Sequence, residues 1–188
     1  LEQSTVGPAL GEASITSGIL AALIGTLAVM IIMPLRYGWS GMLANGMLLC
    51  TLSLLMGGMA ALGATLTLPG IAGVVLTIGM AVDANVLIFE RIREELALGL
   101  TPPKAIKAGF ERANLSIVDS NLTTIIVAAI LYQFGTGPVR GFAVTLTLGI
   151  IASMFSAIFL CRIAFDAWMK HTNGTRLSTV SYTHLRAH

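Results

Sequence analysis

The chain has 188 residues, of which 55% are hydrophobic and 11% are charged, and its formal net charge is +2. An ordinary soluble domain carries about 25% charged residues, so this composition excludes a soluble fold and indicates an integral membrane protein. The small net charge gives no indication of nucleic-acid binding.

Five apolar runs, each close to the ~20 residues that cross a bilayer, predict an all-α membrane protein. The runs are predicted to form a bundle of five transmembrane helices, with spans at about 15–35, 41–66, 69–89, 117–134 and 141–165. Residues 1–14 are polar and rich in turn formers, and we expect them to be a lead-in from a preceding domain.

The longest polar connection, residues 90–116, follows the third run. It is predicted to continue the third helix until Gly99 and then to begin a short amphipathic helix at Pro102, because proline is tolerated in a first helical turn. Apolar and charged residues alternate there with helical spacing, which suits either the membrane interface or packing beneath the bundle.

Basic residues indicate the orientation, because cytoplasmic connections carry an excess of Lys and Arg. The connections after the first, third and fifth runs contain Arg36, Arg91, Arg93, Lys104, Lys107, Arg112 and Lys170, whereas those on the other side contain only Arg140. The first set, the amphipathic helix and the C-terminus are therefore predicted to be cytoplasmic, and the N-terminus extracytoplasmic. Five spans that start outside also predict at least one earlier span.

The fifth run carries small residues four apart, among them Gly149, Ser153 and Ala157. This spacing places them on one face of a helix and predicts a surface that packs against a neighbouring helix.

Residues 171–188 differ from the rest because they have no apolar period. They are expected to form a disordered tail, and because residues 180–188 resemble translated sequencing-adaptor sequence, a non-native end is the alternative. His171, His184 and His188 have no further ligand nearby, and neither cysteine has metal-ligand spacing, so we expect no metal and no cofactor.

Asp83 is the only ionisable residue between Pro69 and Phe89, and it lies about 21 Å along the predicted third helix. A charge at membrane depth costs between ~3 and ~15 kcal/mol, so such a residue needs a partner, a wet cavity or a proton. Gly79 lies one turn earlier on the same face and would let another helix or water approach.

Two roles remain open for Asp83. It is either a structural carboxylate with one permanent partner or a proton carrier. Desolvation favours the neutral form of a carboxyl group and a nearby cation favours the charged form, so a conformational change between two environments would load and release a proton. No basic residue within the five spans is a good partner, and we expect the counter-charge to come from another chain or from a part not contained here.

A second polar cluster, residues 119–124, opens the fourth run. Asp119 and Thr123 share a face one turn apart. Asp119 is a carboxylate favoured by the helix dipole, a hydrogen-bonded partner that helps to hold the third span, or part of a polar path to the cytoplasm. The candidate proton pathway is therefore Asp83, with Asp119 as a weaker member and with Asn85, Asn121 and Thr123 beside them.

Enzyme chemistry has no support in this sequence. It contains no Ser/His/Asp set and no nucleotide-binding glycine loop, and the glycines of residues 135–141 form a tight turn that follows no strand. We therefore expect no enzymatic activity.

Several motifs resemble the SecD/SecF family of bacterial protein-export membrane proteins. Residues 79–95 read GMAVDANVLIFERIREE and carry the strongest likeness, and they are accompanied in order by residues 5–11, 65–73, 119–124 and 134–143. The resemblance covers about residues 5–170, and the stretch around Asp83 favours the SecD branch over the SecF branch.

This resemblance implies a bundle of six plus six helices in the bacterial plasma membrane, formed by SecD and SecF, of the same superfamily as resistance-nodulation-division transporters. The chain would supply five helices of the six-helix SecD bundle and would lack the first span and the large extracytoplasmic domain. Its partners would be SecF, the SecYEG channel, the translocating preprotein and the lipid bilayer. The family's aspartate lies on the path of the protons that drive preprotein translocation, and that role would fall to Asp83.

Two other functions are compatible with these residues. A proton-driven small-molecule or lipid efflux transporter of the same superfamily would also need an intramembrane carboxylate, and it should show a substrate portal. A scaffold that only assembles the translocon would tolerate replacement of the carboxylate.

Overall fold

A computed structural model describes residues 8–171 of the chain, and every regular element within them is a helix. The elements are α1 (Pro8–Tyr37), α2 (Trp39–Ala61), α3 (Leu68–Ala97), α4 (Pro102–Phe134), α5 (Gly137–Phe155), a π-helical turn (Ser156–Leu160) and α6 (Cys161–His171). Within these residues five helical segments are long and apolar enough to cross a membrane, and α5, the π-turn and α6 together make the fifth. The predicted all-α membrane bundle is confirmed.

The connections end and restart the helices with ordinary turn chemistry. Gly63 and Gly99 have φ angles of 60° and 87°, which favour glycine, and they follow the ends of α2 and α3. The backbone N–H of Gly70 donates to Thr67 Oγ1 at 3.2 Å, so Thr67 caps α3.

Two helix boundaries differ from the sequence prediction. The first helix begins at Pro8, so the second half of the predicted lead-in is helical, since proline suits a first helical turn. The amphipathic segment is helical as predicted but is not a separate helix, because α4 runs without interruption from Pro102 to Phe134. Residues 1–7 and 172–188, which include most of the predicted tail, lie outside the described part of the chain.

An aromatic cluster closes the end of the bundle at which α1 and α3 end and α4 begins, called here the basic end. Phe165 of α6 lies 5.8 Å from Phe89 of α3 and 5.9 Å from Phe110 of α4, measured between ring centroids. All three rings are fully buried. Tyr37 joins α1 to this cluster, because its ring centroid lies 5.6 Å from that of Phe89, and its hydroxyl donates to Glu90 Oε1 at 3.0 Å. The amphipathic face of α4 therefore packs beneath the bundle, which decides between the two predicted alternatives.

Small residues bring α3 and α5 together in the rest of the bundle. A Cβ atom on Gly73 would lie 3.2 Å from Thr145 Cβ, and a Cβ atom on Gly149 would overlap the side chain of Thr77. The two contacts are four residues apart on each helix, so α3 and α5 pack as parallel neighbours with one face of each helix buried.

Candidate functional site

A cavity of about 160 Å³ lies between α3 and α4, and Asp83 is the acidic side chain in its wall. Three polar residues of α4 line the same cavity. The full lining consists of Met80, Asp83, Ala84, Leu87, Ile117, Ser120, Asn121 and Thr124. Asp83 lies 15 residues after the start of α3 and 14 before its end, and so about 22 Å from either end of that helix.

The crossing of α3 and α4 places these side chains opposite each other. Gly109 lies so close to Ile92 that an added Cβ atom would come within 2.8 Å of the Ile92 backbone. Helices α3 and α4 are consecutive and run antiparallel. Asp83 precedes Ile92 on α3 and Asn121 follows Gly109 on α4, so both residues lie on the same side of this contact. The α3–α4 contact thus carries the polar start of the fourth span to the level of Asp83.

Packing against α5 sets the rotation of α3 and leaves Asp83 exposed on the surface of this chain. Thr77 and Ala81 face α5 or the core and are buried. Asp83 lies two residues beyond Ala81, and therefore about 200° around the helix from it. The carboxylate faces the cavity and the outside of the bundle instead of the protein interior.

No cation forms an ion pair with Asp83 among the side chains that the structure describes, those of residues 13–170. The ion pairs between these residues are Arg91–Glu94, Arg93–Glu90 and Arg112–Glu95, all toward the basic end. The lining polar groups bond to their own helix, with Asn121 Nδ2 donating to the Ile117 carbonyl at 2.7 Å and Thr124 Oγ1 to the Ser120 carbonyl at 3.3 Å. Hydroxyls and amides can donate to a carboxylate and accept from a carboxylic acid, so the cavity can solvate both forms of Asp83.

Three residues of the predicted pathway do not line this cavity. Asn85 is only 2% exposed, and its Nδ2 donates to the Ala81 carbonyl at 3.0 Å. Asp119 and Thr123 are exposed on another side of α4, where Thr123 Oγ1 donates to the Asp119 carbonyl at 3.4 Å. Asp119 instead borders a separate surface depression, together with Glu111 and Asn114 among others. Of the predicted candidates, the structure brings together Asp83 and Asn121.

Of the four predicted packing residues, three are buried and one is exposed. Gly149, Ser153 and Ala157 are buried, with Gly149 against Thr77. Gly79 is exposed, and no neighbouring atom lies within 4 Å of a Cβ atom built on it, so no helix of the described residues packs there and its packing role stays a prediction. This exposure follows from the helix rotation, because Gly79 shares the outward face of Asp83.

Sequence reasoning missed Ser120 and Thr124. Ser120 and Thr124 have the same four-residue spacing as Asp119 and Thr123, so spacing within the fourth run alone could not choose between the two faces. The available signal was the stripe of small residues at positions 105, 109 and 113, whose continuation along one helix face leads through 117 to 120, 121 and 124.

Metal binding has no geometric basis in the described residues. No group of three or more His, Cys, Asp or Glu side chains is placed there to hold a metal ion. The predicted tail histidines fall outside the side chains that the structure describes.

Comparison with known proteins identifies the family. The family of the protein export membrane protein SecD/SecF, C-terminal region, matches residues 1–171. The chain is 59% identical over 166 residues to the protein translocase subunit SecD of Syntrophobacter fumaroxidans, covering 88% of this chain and 31% of that protein. It is 57% identical over 165 residues to the SecD of Calditerrivibrio nitroreducens, covering 88% and 32%. The chain thus spans about a third of the length of the curated relatives it matches.

Solved structures agree with the sequence relatives. The crystal structure of SecDF from Thermus thermophilus, described as a translocon-associated membrane protein, superposes with a TM-score of 0.84 at 48% identity, covering 90% of this chain and 24% of that one. SecDF in its super-membrane-facing form gives a TM-score of 0.82 at 49% identity, covering 88% and 23%. The chain is therefore a multi-pass membrane protein of the SecD/SecF protein-export family and corresponds to the C-terminal membrane region of SecD.

Proposed function

We propose that this region couples proton movement across the bacterial plasma membrane to preprotein translocation, with Asp83 as the proton-carrying group. The observation that carries the proposal is the position of Asp83, which lies inside the apolar span 69–89 of α3, beside a polar cavity and outside every ion pair of the described residues. A carboxylate kept at that depth without a fixed cation is expensive, and reversible protonation gives it a reason to be there.

The orientation and the partners belong to the same proposal. The basic end faces the cytoplasm, because it carries most of the Lys and Arg residues of the connections. The chain works with SecF and the SecYEG channel on a translocating preprotein. The open side of the Asp83 cavity faces SecF, which supplies the counter-charge that the described residues lack.

The energy available is sufficient for a conformational step. One charge that crosses 100 mV yields about 2.3 kcal/mol, and one unit of pH difference adds about 1.4 kcal/mol. A few kcal/mol per proton shifts a two-state equilibrium appreciably, so alternating protonation of Asp83 can bias two arrangements of the bundle.

Export in cells tests this proposal. A full-length SecD that carries this region is produced with Asp83→Asn, and the rate of preprotein export is followed by pulse-chase. Asparagine has nearly the same shape but cannot exchange a proton, so we expect normal membrane levels of the protein and an export rate reduced to that of cells without SecD. The matched control is Asp166→Asn, which removes an exposed carboxylate of α6 and should export at the wild-type rate.

The same experiment separates the other candidate functions. A wild-type export rate in Asp83→Asn cells would contradict the proposal and favour the scaffold. Normal export combined with loss of resistance to a small molecule would favour the efflux transporter.

A further inference from the structure

We infer that the ion pair between Glu95 and Arg112 positions the polar face of α4 opposite Asp83, so that Glu95 and Arg112 are positioning residues for the cavity. The inference rests on the proposed function of Asp83, although its geometric part can be measured separately. Arg112 Nη1 lies 2.9 Å from Glu95 Oε1 across the two helices.

The two partners of this ion pair differ in their surroundings. The Glu95 side chain is only 4% exposed, whereas the Arg112 side chain is 60% exposed. Glu95 Oε1 accepts no well-aligned hydrogen bond, so the guanidinium compensates it through charge rather than through directed bonding. A buried carboxylate that loses its compensating cation must move toward water or become neutral.

The position of the ion pair lets it affect the geometry of the cavity. Glu95 lies in the last turn of α3, and Arg112 lies just beyond the Gly109–Ile92 contact on α4. Between the helices only residues 98–101 connect the chain. Movement of Glu95 toward water would therefore displace the start of α4 directly.

Helix α4 transmits such a displacement to the cavity. Its two prolines, Pro102 and Pro103, stand in the first turn, and the rest of the helix continues without a break to Phe134. Arg112 and Asn121 are nine residues apart, or about 14 Å along one uninterrupted helix. A tilt or rotation at the basic end must move Asn121 and Thr124 relative to Asp83.

The other two ion pairs at the basic end do not join α3 to α4. Arg91–Glu94 and Arg93–Glu90 each join residues three apart on α3 itself, and their side chains are between 36% and 54% exposed. Exposed pairs of this kind contribute little to stability. Glu90 also accepts the Tyr37 hydroxyl of α1, so Arg91, which pairs with Glu94 instead, provides the matched control for Arg112.

Cysteine cross-linking measures the geometry. In a full-length SecD that carries this region, produced with SecF, Cys50 and Cys161 are replaced by Ala, and new cysteines are placed by Met80→Cys and Thr124→Cys on the two walls of the cavity. We expect Arg112→Gln to reduce the yield of a short thiol cross-linker by about threefold or more, because the buried Glu95 is then uncompensated. Arg112→Lys restores a cation and should recover most of the yield, and Arg91→Gln should leave it at the level of the parent.

Proton-driven release of preprotein, measured with the native cysteines and native cavity residues, gives the second readout. Arg112→Gln should lower the release that depends on Asp83, with recovery in Arg112→Lys and no change in Arg91→Gln. If Arg112→Gln fails to accumulate, Glu95→Gln removes the uncompensated charge while it still breaks the pair, and it should change both readouts in the same direction but less.

Cross-linking and release at parental levels in both Arg112→Gln and Glu95→Gln would overturn the inference. Equal loss in Arg112→Gln and Arg112→Lys would also overturn it, because a charge-based pair must distinguish them. If cross-linking changes as expected while Asp83→Asn exports normally, the positioning role stands and the proposed function of Asp83 fails.

Discussion

Ser156 Oγ donates to the carbonyl oxygen of Met47 at 2.9 Å, which ties the π-turn between α5 and α6 to the middle of α2. The same carbonyl accepts the Thr51 hydroxyl at 2.9 Å, so two buried hydroxyls share one acceptor. A π-turn inserts an extra residue into a helix and often marks a functional position. Here it is held in place by a hydrogen bond from outside its own helix.

Removing the Ser156 hydroxyl should therefore loosen the contact between α2 and the π-turn. We expect Ser156→Ala to lower the free energy of unfolding by about 0.5–1.5 kcal/mol, since one buried hydrogen bond is lost and Met47 retains Thr51. Thermal unfolding in detergent measures the effect. Ser53→Ala is the matched control, because Ser53 is exposed and bonds only within α2. Equal stability of the two variants would show that the tie contributes nothing.

The contact between Gly149 and Thr77 predicts a larger effect. A side chain at 149 would overlap Thr77, so Gly149→Val should destabilise the bundle by about 1–3 kcal/mol through overpacking. Gly57→Val adds the same side chain where no atom lies within 4 Å, and it should cost much less. The fraction of protein that remains monodisperse in detergent after heating compares the two. Comparable losses in both variants would contradict the packing account.

The cavity lining predicts that replacing either of two adjacent threonines has a different effect on preprotein release. Thr124 lines the Asp83 cavity and Thr123 does not, although both hydroxyls bond to the carbonyl four residues earlier. Replacing Thr124 by Val removes a group that can solvate Asp83 and should lower proton-driven preprotein release severalfold, whereas Thr123→Val should retain wild-type release. The reverse order would mean that the pathway follows the Asp119–Thr123 face of α4.

Sequence reasoning reached the helical bundle because span length and hydrophobicity depend on the bilayer and not on tertiary contacts. It also singled out Asp83, because the free-energy cost of a charge at membrane depth can be judged from the apolar span around it, without knowledge of tertiary contacts. It did not find the rotation of the helices. Thr124 was missed because the buried side of each helix depends on its neighbours, here Thr77 against Gly149 and Ile92 against Gly109.

The continuity of α4 was missed for a related reason. The change from an amphipathic to an apolar pattern near residue 117 looks like a boundary between two helices. No proline interrupts the chain there, and Gly109 is tolerated because α3 approaches too closely for a side chain. A change of environment along one helix and a break between two helices give similar patterns in a single sequence.

The most direct test of the central claim is preprotein translocation in membrane vesicles driven by a proton gradient after ATP has been removed. Vesicles contain full-length SecD with this region, SecF and SecYEG, and they are compared with vesicles that carry Asp83→Asn or Asp166→Asn. The account predicts that the gradient stimulates translocation in the wild type and in Asp166→Asn but not in Asp83→Asn, with equal amounts of protein in all three. Stimulation of Asp83→Asn vesicles to the wild-type extent would contradict the claim that Asp83 carries the proton.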